Sequence, residues 1–201
     1  MKYLFFGDSV TDCERDRDDV SSLGEGYVAI LARHLAHKMP DAVVVNTGVA
    51  ADKSEHLLAR YERDCRDYRP DVLTILVGIN DCWSRPDYTP AQCTQRYEAH
   101  MREILRRVRA DLGDIPVVLM EPFALPLDTG WVTIAAKLTP KLQALHRVAE
   151  DFGCQVIPLG EIFTRAMLSG LTPAELAADA IHPTATGHEL IAAAWLAQQG
   201  V

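Results

Sequence analysis

The segment FFGDSVTD, residues 5–12, places one hydroxyl, that of Ser9, between the carboxylates of Asp8 and Asp12. In such a position a serine can be a turn residue that hydrogen-bonds its own backbone. It can also be a nucleophile, provided that a base lies within hydrogen-bond reach and that donors are present for a developing oxyanion. The rest of the chain has to decide between these two interpretations.

A candidate base is His182, which follows Asp179 by three residues just before the last predicted helix. At this spacing the carboxylate can fold back onto the imidazole Nδ1–H, set the tautomer and stabilise the imidazolium. The Nε2 atom then remains for the Ser9 hydroxyl. Taken alone, however, an Asp-x-x-His pair is more often a loop hydrogen bond than a catalytic pair.

Candidate oxyanion donors follow the second and third predicted strands. Gly48 has no Cβ, so its N–H can approach a substrate oxygen closely. Asn80 offers an amide N–H₂ that stays neutral at any ordinary pH. Together with the backbone N–H of Ser9, these groups would make three donors.

Five short apolar runs predict strands that are buried on both faces. They cover residues 2–6, 42–46, 72–77, 116–121 and 154–158. Helical patterns lie between them, which predicts a parallel sheet with helices on both faces. Such a sheet binds ligands at the carboxyl ends of its strands, where Ser9, Gly48 and Asn80 would meet.

Capping-box patterns predict helix starts at Asp52, Thr89, Thr172 and Thr186. Pro140 falls within a later helical pattern and should kink or restart that helix. Ile191 and Trp195 repeat on one side of the last helix, which predicts a core position for the tryptophan.

The length of 201 residues predicts one domain over residues 1–201. A net charge of −8 without a basic run argues against nucleic acid or anionic lipid as a partner. No apolar stretch approaches the ~20 residues of a membrane span. The N-terminus lacks a secretory pattern and the five cysteines lack a C-x-x-C pair, which favours a cytoplasmic protein with reduced thiols that pack as small buried hydrophobes.

No metal site or cofactor is predicted. The acidic segment DCERDRDD, residues 12–19, lacks the spacing of a calcium loop and is interpreted as a solvated charged loop. The carboxylates of Asp8, Asp12 and Asp81 are expected to accept backbone N–H bonds. The other histidines, including His188, are assigned packing or surface roles because none has the spacing of a zinc ligand.

Four sequence blocks resemble those of the SGNH, or GDSL, hydrolase superfamily, and the resemblance runs from residue 4 to about residue 197. The blocks are Gly7-Asp8-Ser9, Gly48, Gly78-Ile79-Asn80-Asp81 and Asp179-Ala-Ile-His182-Pro183. The resemblance implies a flavodoxin-like fold, a three-layer α/β/α sandwich over a five-stranded parallel sheet. It disfavours the ordinary α/β-hydrolase fold, since the chain has no G-x-S-x-G elbow.

Carried over position by position, the resemblance implies a serine esterase that needs no cofactor. Ser9 would be the nucleophile, His182 the base and Asp179 its partner, while Gly48 and Asn80 would join the Ser9 N–H in the oxyanion hole. One departure concerns the loop after the second strand, where the frequent pattern Asn-x-Gly-x-Ser-Gly-Asp is replaced by NTGVAAD, residues 46–52.

Longer segments such as HPTATGHELIAAAWL look similar to intracellular acetylxylan esterases and to lysophospholipase-like bacterial hydrolases. They imply a short acyl ester as substrate, with acetyl on a sugar or oligosaccharide as the first choice, and a homo-oligomer. Two alternatives stay open, a lysophospholipase or acyl-thioesterase that uses the same site and a non-catalytic binding module of the same fold.

Aromatic side chains near the predicted crevice could bind a sugar ring. Trp83 and Trp131 follow Asn80 and the fourth strand, and an indole gives a large contact area with one wet edge. Arg85 and Tyr88 would share this substrate rim. Loop packing is the alternative role for both tryptophans.

Overall fold

The structure of the chain is a computed structural model that describes residues 1–83 and 87–200. Its described strands form one parallel sheet in the order β2-β1-β3-β4-β5. The strands are β1 (Lys2–Gly7), β2 (Val43–Asn46), β3 (Val72–Leu76), β4 (Val117–Met120) and β5 (Gln155–Ile157). Each of the five predicted strands is confirmed, with both ends within one residue of the prediction.

Helices connect the strands in the expected alternation. They are α1 (Ser9–Asp12), α2 (Tyr27–Lys38), α3 (Ser54–Asp64), α4 (Pro90–Leu112), α5 (Gly130–Phe152), α6 (Leu159–Leu168), α7 (Pro173–Leu176) and α8 (Ala185–Gln199). A short 3₁₀ helix, Asn80–Cys82, lies between β3 and α4.

Alternate residues of β1 enter two separate cores, because successive side chains of a strand point to opposite faces. Tyr3 and Phe5 pack with α2, α6 and α8, while Leu4 and Phe6 pack with α3, α4 and α5. The predicted three-layer α/β/α sandwich is therefore confirmed. Trp195 is fully buried in the first core, as predicted, and its indole N–H donates to Thr74 Oγ1 at 2.9 Å.

Two of the four predicted helix starts are confirmed and two are wrong. Thr89 and Thr172 accept from the N–H three residues later and complete capping boxes. The cap of helix α3 is Lys53, one residue after the predicted Asp52, whose carboxylate binds Arg60. Helix α8 is capped by Thr184 rather than Thr186, through a bond from the Gly187 N–H.

Pro140 does not restart a helix, since α5 continues through it. A proline removes one backbone hydrogen bond and crowds the preceding turn. On both sides of it the helix is held by buried side chains, among them Leu138 and Leu145. This packing outweighs the local loss.

Candidate active site

The turn from β1 into α1 presents Ser9 at the carboxyl edge of the sheet. A Cβ on Gly7 would lie 2.3 Å from Thr11 Oγ1 and 2.6 Å from Leu76 O, so only glycine fits there. The Asp8 carboxylate accepts the Val10 N–H at 3.1 Å and caps α1, as expected. Ser9 thus becomes the first helical residue and stays partly exposed.

The loop between α7 and α8 brings His182 to this serine from the far end of the chain. Ser9 Oγ lies 2.9 Å from His182 Nε2, and His182 Nδ1 lies 2.6 Å from Asp179 Oδ2. Because an ionised carboxylate only accepts, these contacts put the imidazole proton on Nδ1 and leave Nε2 free to accept the serine proton. The arrangement has the connectivity of a nucleophile, a base and an orienting acid.

Backbone donors fix the carboxylate of Asp179 in this position. Its Oδ1 atom accepts the N–H groups of His182 at 2.8 Å and Ile181 at 3.1 Å. Burial acts to raise the pKa of Asp179, but the hydrogen bonds from the His182 ring and from these two amides outweigh it and lower the pKa below its usual value. The carboxylate is therefore ionised at neutral pH, as an orienting group must be.

The side chain of Asn80 is held on both sides. Its Nδ2 donates to Asp52 O at 3.0 Å, and its Oδ1 accepts the indole N–H of Trp83 at 3.1 Å. These bonds identify the oxygen and the nitrogen of the amide and use one of its two N–H donors. The second N–H is the one that a substrate oxygen could use.

Gly48 is required for a reason other than access to substrate. A Cβ at this position would lie 2.2 Å from the Asp12 backbone nitrogen, so the two backbones pack directly together. The Gly48 N–H donates to Asn46 Oδ1 at 2.8 Å. It reaches a substrate oxygen only by sharing or exchanging that bond, and its oxyanion role stays a prediction.

Arg60 of α3 holds the loops together, although it was not among the predicted site residues. Its guanidinium donates to Gly7 O at 2.9 Å, to Thr47 O at 2.7 Å and to Asp52 Oδ2 at 2.7 Å. It thereby holds the ends of β1 and β2, which position Ser9 and Gly48. Arg60 follows the buried Leu57 by three residues, which places it on the core-facing side of α3. This spacing is the sequence signal that could have identified it.

Acidic side chains are buried around the same edge. Asp8 is completely buried, and desolvation, together with the charges of Asp81 and Asp52, raises its pKa to about 7. Burial also raises the pKa of Asp81, whose carboxylate accepts the N–H of Ser54 at 3.0 Å. The expected backbone-acceptor role is confirmed for both Asp8 and Asp81.

A cleft of about 750 Å³ opens beside Ser9 and His182. Half of the residues that line it belong to the segment 12–17, including Arg15 and Arg17. The predicted solvated charged loop is confirmed for Glu14 and residues 16–19, which are exposed, whereas Asp12 is buried and Arg15 is partly buried. The chain folds this segment back so that Arg15 donates to Gly48 O at 2.8 Å.

The predicted substrate rim is spread over different places. Trp83, which is exposed, and Tyr88 line a second cavity of about 150 Å³ with Lys137 and Lys141. Trp131 is half-buried at the start of α5 and donates to Ala124 O at 2.9 Å, which is a packing role. Arg85 lies outside the described residues. Trp83 contacts a candidate catalytic-site residue, because its indole N–H donates to Asn80 Oδ1.

His188 is a packing residue, as predicted. Its Nδ1 accepts the Tyr27 N–H at 3.1 Å, and its Nε2 lies 3.3 Å from Cys13 Sγ. Burial, with the nearby charge of His182, lowers its pKa to about 4, so the ring is neutral.

The described part of the chain contains no disulfide and no group of three or more side chains that could hold a metal ion. Within the same residues, no helix has the length and apolar character needed to cross a bilayer. The cytoplasmic location and the homo-oligomer stay predictions.

Comparison with known proteins decides the family. A family model described as the GDSL-like Lipase/Acylhydrolase family matches residues 5–190. The chain belongs to this family. It is accordingly a carboxylic ester hydrolase, and the fold and family predicted from its motifs are confirmed.

Relatives of this GDSL-family esterase match it over nearly its whole length. An acetylxylan esterase of Geobacillus stearothermophilus is 31% identical over 209 residues, which cover 99% of this chain and 94% of the relative. The crystal structure of an acetylxylan esterase from that organism has a TM-score of 0.82 at 30% identity and covers 100% of this chain and 94% of its own. A putative GDSL-like lipase from Parabacteroides merdae has a TM-score of 0.89 at 28% identity, with coverage of 99% and 95%.

Proposed function

We propose that the chain is a serine esterase that removes short acyl groups, above all acetyl, from carbohydrate esters. The observation that carries the proposal is the continuous contact from Ser9 through His182 to Asp179, at 2.9 Å and 2.6 Å. Structures of the Geobacillus acetylxylan esterase support it, since variants of a serine, an aspartate and a histidine three positions after that aspartate are described as catalytic mutants. Asp179 and His182 have the same spacing.

In the proposed reaction, Ser9 Oγ attacks the ester carbonyl while His182 Nε2 accepts the hydroxyl proton. The imidazolium is stabilised by Asp179 and then gives the proton to the leaving alcohol oxygen. Water, deprotonated by the same nitrogen, attacks the acyl-enzyme; the bond to Ser9 Oγ breaks, Oγ takes the proton back from His182, and the carboxylic acid is released. The charges and protons balance without a cofactor.

The oxyanion would be held by the Ser9 N–H, the free Nδ2 hydrogen of Asn80 and the Gly48 N–H. The first belongs to the opening turn of α1, whose N–H groups have no acceptor within their own helix. The third becomes available when its bond to Asn46 is shared with the substrate oxygen. Loss of one such donor typically costs about 10²–10³ in kcat.

Carbohydrate acetyl esters are favoured over long-chain esters by the residues that line the cleft. The cleft of about 750 Å³ is lined mostly by polar and charged residues, which suit sugar hydroxyls better than a long acyl chain. A lysophospholipase or acyl-thioesterase would need room for a long acyl chain. The relatives described as acetylxylan esterases point the same way.

The test compares wild type with Ser9→Ala on p-nitrophenyl acetate and on acetylated xylan. Activity of the wild type on both substrates and loss of both in the variant are expected. Full activity of Ser9→Ala would refute the nucleophile. A series of p-nitrophenyl esters of rising chain length, if it peaked at long chains, would replace the acetyl proposal with the lipid one.

A further inference from the structure

The large cleft lies on the side of Ser9 where the leaving group must depart. In the proposed reaction His182 Nε2 protonates the leaving oxygen, so the alcohol has to lie against this ring. The wall of the cleft includes His182 and Pro183 together with Arg15, Arg17 and Ala50. The cleft is thus positioned to receive the alcohol part of the ester.

Asp12 holds part of this wall in place. Asp12 is 4% exposed, and its Oδ2 accepts the Ala50 N–H at 2.8 Å and pairs with Arg17. Its Oδ1 has no hydrogen-bond partner, since Arg15 Nε is 3.8 Å away, beyond hydrogen-bond distance. Because this oxygen has almost no exposed surface, Asp12 acts on the cleft through Arg17, whose guanidinium it binds.

The charges of the wall favour a neutral ligand over an anion. Its acidic members are Asp12, Glu14 and Asp16, against Arg15 and Arg17. Both arginines are already engaged: Arg17 is paired with Asp12, and Arg15 is bound to the carbonyl oxygen of Gly48. A phosphate or carboxylate would therefore meet more negative than positive charge, whereas hydroxyl groups can both donate and accept.

We propose that the Arg17 guanidinium, held in place by Asp12, forms the subsite for the sugar in the leaving-group position, an inference that rests on the proposed function. An N–H of the half-exposed guanidinium donates a hydrogen bond to a sugar hydroxyl. Arg15 is the support of this wall, because its bond to Gly48 O connects the wall to the loop after β2.

The test uses Arg17→Met, Arg17→Lys and, as a matched control, Arg165→Met, which removes an exposed arginine that also pairs with an acid but lies on α6. Initial rates are measured on p-nitrophenyl acetate, acetylated xylobiose and lysophosphatidylcholine. For Arg17→Met we expect kcat/KM to fall about tenfold on acetylated xylobiose, mainly through KM, because a charged hydrogen bond is lost. The loss on p-nitrophenyl acetate should be much smaller, and Arg17→Lys should recover part of the sugar activity. Arg165→Met should match the wild type.

Equal losses of Arg17→Met on both acetyl esters, or no loss on the sugar ester, would overturn the subsite while the esterase proposal stands. A loss confined to lysophosphatidylcholine would replace the sugar subsite with an anion site. If the wild type cleaves p-nitrophenyl acetate but not acetylated xylobiose, the carbohydrate function itself fails, and the subsite fails with it. Thermal melting checks that the variants fold, which the 49% exposure of the Arg17 side chain favours.

Discussion

The middle of the sheet and its carboxyl edge are built from the same strands but differ in what they bury. All five residues of β3 are buried, and its polar member, Thr74, accepts the indole N–H of Trp195. At the carboxyl edge the buried side chains include acids, namely Asp8, Asp12, Asp52 and Glu121. Burying a carboxylate is unfavourable unless donors surround it, so this edge depends on specific partners and the middle does not.

Backbone conformation differs in the same way. Among the described residues, five that are not glycine have positive φ, and four of them lie in loops near Ser9 and His182. These four are Cys13, Glu14, Ala51 and Ala180. A left-handed conformation costs an L-residue roughly 1–2 kcal/mol, which the surrounding contacts must offset. The comparison indicates that apolar burial stabilises the sheet while hydrogen bonds hold the site.

The largest expected effect separates activity from stability. Ser9→Ala should lower kcat/KM on p-nitrophenyl acetate by at least about 10⁴-fold, because the nucleophile is lost. The free energy of unfolding should barely change, since the serine is partly exposed. Steady-state kinetics and urea denaturation measure the two quantities.

Leu73→Ala is the counterpart from the middle of the sheet. Leu73 is fully buried, and its truncation should cost about 2–5 kcal/mol of unfolding free energy through lost packing. The folded fraction should keep its specific activity. If Ser9→Ala destabilised the protein as much as Leu73→Ala, the proposed division between the two regions would be wrong.

Removal of Arg60 should lower both the stability and the activity of the protein. Arg60→Met leaves the acids Asp52 and Asp64 without their shared cation and should cost about 3–5 kcal/mol of unfolding free energy. It should also lower kcat, because the carbonyls of Gly7 and Thr47 lose their common donor. Chemical denaturation and kinetics on the folded protein check this.

Arg63→Met is the matched control on the same helix. The Arg63 side chain is 76% exposed, although it too pairs with Asp64. Its removal should change the free energy of unfolding by no more than about 0.5 kcal/mol. If both variants lost similar amounts of unfolding free energy, the contacts of Arg60 with the carbonyls of Gly7 and Thr47 would contribute little to stability.

The acid side of the stability curve should depend on His188. Its pKa is lowered to about 4 in the folded protein, against an ordinary value of 6.5. Between these pH values the unfolded chain binds the proton and the folded chain does not, so the free energy of unfolding falls as the pH falls. The contribution present above pH 6.5 is thus lost progressively toward pH 4, by an amount on the order of 3 kcal/mol.

His188→Asn should flatten this part of the curve, measured by urea denaturation at a series of pH values. The asparagine can still accept the Tyr27 N–H, which His188 Nδ1 accepts now. Asp8, with a pKa of about 7, acts in the opposite direction but is present in both proteins and cancels in the difference. An unchanged slope would contradict the prediction, and the exposed His37 provides a control substitution.

The smallest effect compares one capping chemistry in two places. Thr89 caps α4 away from the site, whereas Thr184 caps α8 two residues after His182 and also donates to Glu175 O at 2.6 Å. Replacement of either by alanine should cost about 1 kcal/mol of unfolding free energy. Only Thr184→Ala should lower kcat, because it loosens the loop of the base; equal kcat values for both variants would argue against this.

Much of the fold could be predicted because its signals are local. A strand buried on both faces is a short apolar run in any context, so all five strands were found. The caps at Thr89 and Thr172 depend on residues three positions apart, and they too are as predicted. Asp52 was misassigned as a helix cap because its carboxylate binds Arg60, which lies eight residues further along the chain. A pattern of residues three positions apart does not reveal that contact.

The candidate site likewise contains residues that could be predicted from the sequence and residues that could not. Ser9, Asp179, His182, Gly48 and Asn80 could be named because parallel strands bring their loops to one edge, whatever the loop details. Arg15 and Arg17 were not recognised, since charged residues in a loop are normally solvated and nothing in their spacing indicates a fold-back onto Gly48. The tryptophan rim was assigned by proximity along the chain, and the structure places Trp131 in a packing contact instead.

By itself, the sequence determined the alternation of strands and helices, the family and the residue types available for chemistry, because burial periodicity and motif spacing are properties of the chain. Only the tertiary structure decided the 2.9 Å approach of Ser9 to a histidine 173 residues away, and the wall that Asp12 and Arg17 build beside them. The physical reason is that hydrogen bonds and ion pairs act over a few ångströms, so their partners are chosen by packing and not by distance along the chain.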